Sequence, residues 1–279
     1  MIAALPYTSR LADADFALLV LAAEQAFSAD SNNLQPQFDP KFGSWQVEGW
    51  ITGVDAVFKL GRLAILPREV FYGWLLRKGS FYVIAIRGTG DPMEWWIDTL
   101  WMLRRAHPYA GRVETGFWSV YESLKLNGEP ISSILKAPPI SIQPNALTVV
   151  GHSLGAAVAT YLTFDLAKVL GKHKVQGVFI ASPHPGDKTF AKAFGEMAPQ
   201  HVMYRNVRDI VPCVPLSIPF IADYSAIPNV QKLSAAKVGL QIKGGLAAQH
   251  HVLTYFALME PNLLTELRQR FGTAVSYIR

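Results

Sequence analysis

The sequence predicts an α/β protein in which a mostly parallel sheet, flanked by helices, is entered through an antiparallel segment. Three observations carry this. From residue 140 onward, short apolar runs alternate with helical stretches, the pattern of strands joined by covering helices. Upstream lie three β-rich segments, at 45–59, 69–76 and 81–86, and the turn Arg77-Lys78-Gly79-Ser80 joins the last two as a hairpin. The third is size: 279 residues, 50% hydrophobic and 17% charged, suffice for one large core. No repeat or long linker divides the chain, so residues 1–279 are read as one domain.

Each element follows from local pattern. Residues 11–27 read as an amphipathic helix, with Leu11, Phe16, Leu19, Ala23 and Phe27 near helical spacing. A polar loop over 31–44 follows, punctuated by Pro36, Pro40 and Gly43. In the second half, 146–150, 175–181 and 202–207 read as strands, and 154–170 and 190–197 as helices.

Composition excludes several classes. The single cysteine, Cys213, permits no intramolecular disulfide and no thiolate cluster for zinc. The longest apolar run, residues 16–23, falls well short of the roughly 20 residues of a bilayer span. Asp13, Asp15 and Glu24 flank it, unlike the frame of a secretory signal. The expectation is a protein that does not cross a membrane, either cytoplasmic or exported without a cleavable signal peptide. The formal charge of +5 is spread thinly, its tightest clusters being Arg77-Lys78 and Arg104-Arg105. That distribution argues against a nucleic-acid partner.

The sharpest motif is Gly151-His152-Ser153-Leu154-Gly155, a G-x-S-x-G between a strand and a helix. A serine that attacks a carbonyl must project from a tight turn, with small residues two positions either side where the backbones approach. Ala156, Ala157 and Ala159 extend that requirement into the helix. A helix N-terminus also presents free N–H groups to a developing oxyanion. The hydroxyl needs a base and an acid to orient it, in the chain order Ser, Asp or Glu, His. Only His250 and His251 leave room for a strand-end acid after Ser153. Asp209, just past the 202–207 strand and before Ile210-Val211-Pro212, is the best placed acid; Asp187 and Asp223 are weaker alternatives.

With these residues in view, the sequence resembles the class 3, fungal-type lipases of the α/β-hydrolase superfamily. Segments agree in order: Val83 through Arg87-Gly88-Thr89, Trp95-Trp96-Ile97-Asp98, Gly116-Phe117 and the Gly151 to Gly155 elbow. Ser182-Pro183-His184-Pro185-Gly186-Asp187 and Asn206-Val207-Arg208-Asp209-Ile210-Val211-Pro212 continue the match, which covers roughly residues 70–256. Glu114 departs from the pattern, standing where many members have His.

The resemblance implies Ser153 as nucleophile, Asp209 as orienting acid, and an oxyanion hole from Thr89 and the N–H of Leu154. An H-x-apolar-x-x-Y spacing selects His250, with Val252 and Tyr255, as the preferred base; the shorter fungal spacing points to His251 as the alternative. It also places a lid at about residues 90–105, where Trp95, Trp96, Leu100 and Trp101 make an apolar surface ending in Arg104-Arg105. Residues 211–227, with Pro212, Pro215 and Pro219, would line the acyl side of the pocket. The implied activity is hydrolysis of lipid esters, in the manner of a triacylglycerol lipase, through an acyl-enzyme on Ser153. It needs no metal or organic cofactor, and its partner is a lipid ester, free or at a membrane or droplet interface. Alternatives are a phospholipase, a short-chain or feruloyl-type esterase, and a non-catalytic interaction protein on the same fold.

Overall fold

Successive residues of a strand point to opposite faces of a sheet, and here both faces are apolar. Ile84 and Ile86 enter one core while Val83 and Ala85 enter the other, and Val149 and Val150 divide in the same way. Each such fully buried Val or Ile stabilises the fold by roughly 1.5–3 kcal/mol. The computed structural model describes residues 13–54, 68–89, 104–108, 110–136, 147–217 and 223–279.

Within these residues the chain runs α1 (Asp13–Ala29), β1 (Gln46–Val54), β2 (Glu69–Lys78) and β3 (Phe81–Ile86). It continues through β4 (Arg104–Ala106), β5 (Arg112–Glu114), α2 (Thr115–Ser123), β6 (Lys125–Leu126), β7 (Glu129–Pro130) and α3 (Ile131–Lys136). Next come β8 (Leu147–His152), α4 (Leu154–Leu170), β9 (Val175–Ile180), β10 (Gly186–Asp187), α5 (Lys188–Met197) and β11 (His201–Asn206). The last are β12 (Tyr224–Ser225), β13 (Val230–Leu233), α6 (Leu246–His250), α7 (Val252–Met259) and α8 (Leu264–Phe271).

The main sheet has the order β13-β11-β9-β8-β3-β2-β1-β6-β7. From β3 to β13 the pairs are parallel; β2–β3 and β1–β2 are antiparallel, as the sequence predicts for the start of the sheet. Gly79, at φ +62, turns the β2–β3 hairpin. A smaller sheet, β12-β10-β5-β4, stands apart. Helices α2, α4 and α5 cover one face of the main sheet, and α1, α7 and α8 the other.

Two expectations change. Helix α1 is buried all round from Phe16 to Ala23, because the sheet lies on one side and α7 packs on it as well. It is therefore a wedge inside the molecule rather than a helix with a wet face. The expected lid lies outside the described residues except for its end. There Arg104 and Arg105 begin β4, paired with β5, rather than closing a helix. Trp95, Trp96 and Trp101 are all outside the described residues. Among the described residues no helix is long and apolar enough to cross a membrane.

Parallel strands place their loops at one carboxyl edge, where α/β sheets form ligand crevices. β3, β8 and β11 end there, leading to Thr89, Ser153 and Asp209 respectively.

Candidate active site

Ser153 sits between the last residue of β8 and the first of α4, with φ 56 and ψ −129. A non-glycine residue held there stores about 1–3 kcal/mol of strain. The flanking glycines make the turn sterically feasible. A Cβ on Gly155 would lie 2.2 Å from the Arg87 carbonyl oxygen, and one on Gly151 would lie 2.3 Å from the Gly155 carbonyl oxygen. Ser153 Oγ is buried and makes no hydrogen bond with a described residue, so a serine–histidine contact is not closed here. Such contacts commonly tighten only when substrate binds.

The strand-end acid and one histidine do meet. His250 Nδ1 lies 2.7 Å from Asp209 Oδ2, and the side chains are 4% and 1% exposed. Since the carboxylate accepts, Nδ1 carries the proton and Nε2 is left as the basic nitrogen. Burial, chiefly, holds the His250 imidazole below the ordinary histidine value, against the pull of its Asp209 hydrogen bond, and the charge on His152 lowers it further. Asp209 is fixed in turn: Val211 N–H donates to Oδ1 at 2.9 Å and Tyr255 Oη to Oδ2 at 2.7 Å.

The other candidates are placed elsewhere. His251 caps α7, its Nδ1 accepting from Leu253 N–H at 3.1 Å. Asp187 caps α5 through Phe190 N–H and also accepts from Arg112 N–H, while Asp223 faces Lys188 at 3.5 Å.

Thr89 follows a pinned turn. The Arg87 guanidinium donates to Phe71 O at 2.6 Å and Gly88 O at 2.7 Å, and stacks 3.5 Å over the Phe27 ring. Gly88 lets this turn press on the elbow, since a Cβ there would lie 3.2 Å from Ser153 Cβ. Thr89 Oγ1 is buried with no hydrogen-bond partner among the described residues. Leu154 N–H belongs to the first turn of α4, where helices have no internal acceptor. Glu114, the departure from the family pattern, caps α2 by accepting from Gly116 and Phe117 N–H at 2.9 and 2.7 Å.

A model of the family described as lipase (class 3) matches residues 83–218. That match spans just under half of the chain and bears out the resemblance to class 3 lipases seen in the sequence. The chain is 35% identical over 156 residues to phospholipase A1-II 4 of Oryza sativa subsp. japonica, covering 48% of this chain and 39% of that one. It is 34% identical over 139 residues to the secreted mono- and diacylglycerol lipase A of Penicillium cyclopium, covering 49% and 44%. It thus spans less than half the length of either relative. Among solved structures, M37 lipase aligns with TM-score 0.56 and 20% identity over 83% of this chain and 85% of that one. The Rhizomucor miehei lipase propeptide complex aligns with TM-score 0.54 and 18% identity over 80% and 67%. These likenesses bear out the α/β-hydrolase fold expected from the sequence.

Two residues of the candidate site had no role in the sequence-based expectations. His152, the variable residue ahead of Ser153, places Nδ1 2.8 Å from Glu24 Oε1 and Nε2 2.8 Å from the His250 carbonyl oxygen. Its ring stands 4.7 Å from the His250 ring, tilted 34°. The available signals were a carboxylate set within the apolar face of the first helix and a histidine inside the elbow.

Proposed function

We propose that this chain is a class 3 lipase that hydrolyses lipid carboxylic esters through an acyl-enzyme on Ser153. The observation that carries the proposal is the 2.7 Å Asp209–His250 bond, at the same sheet edge as a serine held on a strained strand-to-helix turn. Ser153 Oγ attacks the ester carbonyl as His250 Nε2 takes its proton. The oxyanion binds the N–H groups of Leu154 and Thr89 and the Thr89 hydroxyl. His250 then protonates the departing alcohol, and water repeats the sequence to release the acid. Asp209 keeps the imidazole in the required tautomer throughout.

A lipid surface as the place of encounter is supported by exposed apolar side chains. Val207 and Ile210, on either side of Asp209, are 48% and 47% exposed; Leu216 beyond them is 56% exposed and Leu246, on the helix of His250, 39%. The rice relative's name favours a second reading of the substrate as a phospholipid cleaved at one acyl ester.

The test is hydrolysis of p-nitrophenyl butyrate with labelling by a fluorophosphonate probe. Wild type is expected to turn over and label, and Ser153→Ala to do neither while unfolding at nearly the same temperature. His250→Ala is expected to be inactive and His251→Ala active. A folded wild-type protein that neither labels nor turns over would make the chain a non-catalytic interaction protein. Rates on triglyceride and phosphatidylcholine, below and above aggregation, decide between the substrates.

A further inference from the structure

Two acid–histidine pairs lie side by side at this site. One is Asp209–His250; the other is Glu24–His152, with ring centroids of the two histidines 4.7 Å apart. The second pair joins the wedge helix α1 to the elbow, and from there to the main chain of His250.

The partners of His152 fix its protonation. Glu24 presents a carboxylate oxygen to Nδ1, and the main chain of His250 presents a carbonyl oxygen to Nε2, both at 2.8 Å. A carboxylate and a carbonyl only accept, so both ring nitrogens must donate, and a ring with two N–H groups is an imidazolium. The side chains are 6% and 23% exposed for His152 and Glu24. Burial works against the charge on His152, and Glu24, the two hydrogen bonds and Asp209 together outweigh it, holding His152 above the ordinary histidine value. Burial likewise opposes ionisation of Glu24, and His152, His251 and the Gly88 N–H outweigh it. Other groups facing the pair are His250 at the end of α6, His251 between α6 and α7, and Tyr255 of α7.

We propose that Glu24 and His152 are positioning residues for the candidate base: an ion pair that holds the main chain of His250 and sets the field at its ring. The proposal rests on the reading of His250 as the general base. Three pieces of the machinery converge on this pair. His152 adjoins the nucleophile, its Nε2–H bonds the base's own carbonyl, and Glu24 Oε1 lies 3.3 Å from the Cβ position of Gly88, next to Thr89. Field and geometry can be separated chemically. In Glu24→Gln the side-chain amide can donate to Nδ1 of a neutral His152, whose Nε2–H still reaches the His250 carbonyl. Both bonds survive and both charges vanish. Glu24→Ala removes the anchor as well.

The experiment measures kcat, KM and the pH profile of p-nitrophenyl butyrate hydrolysis for wild type, Glu24→Gln, Glu24→Ala and His152→Gln, with thermal unfolding alongside. Glu24→Ala is expected to lose about 10-fold or more in kcat with KM within about 3-fold, the signature of a displaced base. Glu24→Gln is expected to recover most of that kcat. Its acid limb of kcat/KM should still move to higher pH, by about half a unit, because losing the His152 cation, which lowers the His250 value, outweighs losing the Glu24 anion, which raises it. His152→Gln keeps a donor near the Nε2 position and should shift the limb the same way. The proposal is overturned if folded Glu24→Gln and His152→Gln keep both the wild-type kcat and the wild-type acid limb, or if Glu24→Ala lowers only the unfolding temperature. Should Glu24→Ala not fold, Glu24→Gln decides alone. Wild-type turnover and labelling of Ser153 test the underlying reading separately, so the two failures are distinguishable.

Discussion

Tyr255 Oη donates at 2.7 Å to Oδ2 of Asp209, the same oxygen that receives Nδ1–H of His250. The phenol also accepts the Asn206 N–H at 3.1 Å, tying α7 to the end of β11. Tyr255→Phe therefore frees a carboxylate oxygen to rotate and strands a buried amide. The expected cost is about 1–3 kcal/mol of stability, from chemical denaturation. A fall in kcat of up to about 10-fold, with KM little changed, should accompany it. An unchanged kcat would show that the His250 and Val211 bonds fix Asp209 without the phenol.

Thr89 brings a buried hydroxyl with no described partner to the turn against the elbow. In Thr89→Val the shape and the main-chain N–H remain while the hydroxyl donor goes. Loss of one oxyanion donor is expected to lower kcat by about 10²–10³-fold. Folding should be nearly unaffected, read by the thermal midpoint. A kcat within a few-fold of wild type would leave the oxyanion to the backbone groups.

Gly155 has no room for a methyl group, because its Cβ position is 2.2 Å from the backbone oxygen of Arg87. The obstacle is main chain at and just past the end of β3, with the Ile86 carbonyl oxygen also 2.7 Å away, and it cannot rotate aside. Gly155→Ala is expected to force α4 off β3, cutting both stability and activity, whereas Gly79→Ala, which meets nothing within 4 Å, tests backbone strain alone at φ +62. Comparative unfolding of the two variants should put the first well below the second.

Glu114 is fully buried, and burial pushes its carboxyl up to about 7 from 4.5, although the Gly116 and Phe117 N–H groups pull it down. The folded state keeps a proton that the unfolded chain releases. Its contribution is complete below about pH 4.5 and is lost as pH rises through about 7, for a total of about 3 kcal/mol. Glu114→Gln cannot ionise. The difference in stability between wild type and variant should therefore move in the variant's favour from pH 5 to pH 8, followed by urea unfolding at several pH values. A constant difference would contradict the raised value.

What the sequence disclosed depended on how local the cause was. Strand β3 and helix α4 agree with expectation to the residue, since their apolar runs end at a Gly-containing turn and at the elbow. Ser153, Asp209 and the two histidine choices were visible from chain order and strand ends. The preference for His250 came from its spacing to Tyr255, and the structure explains why that spacing matters: both side chains reach one Asp209 oxygen. The edge strand β13 was not foreseen, because Val230–Leu233 has only half-buried and exposed residues and gains its register from β11. Glu24 and His152 were missed for a different reason. Each carries a local oddity, a carboxylate in an apolar helix and a histidine in the elbow, but neither oddity names a partner 128 positions away.

That separation bears on how the protein becomes active. Glu24 bonds His152 across 128 positions, and His152 bonds the His250 carbonyl across a further 98. The first helix, the middle of the chain and its last quarter must all be in place before these bonds exist. Contacts so distant in sequence form late, after most chain entropy has been surrendered. A chain emerging from the ribosome would thus carry its serine long before it could use it, and hydrolysis would begin only when folding is finished. On the proposed reading of Ser153, the late closure of these bonds would act as a timer set by the fold itself.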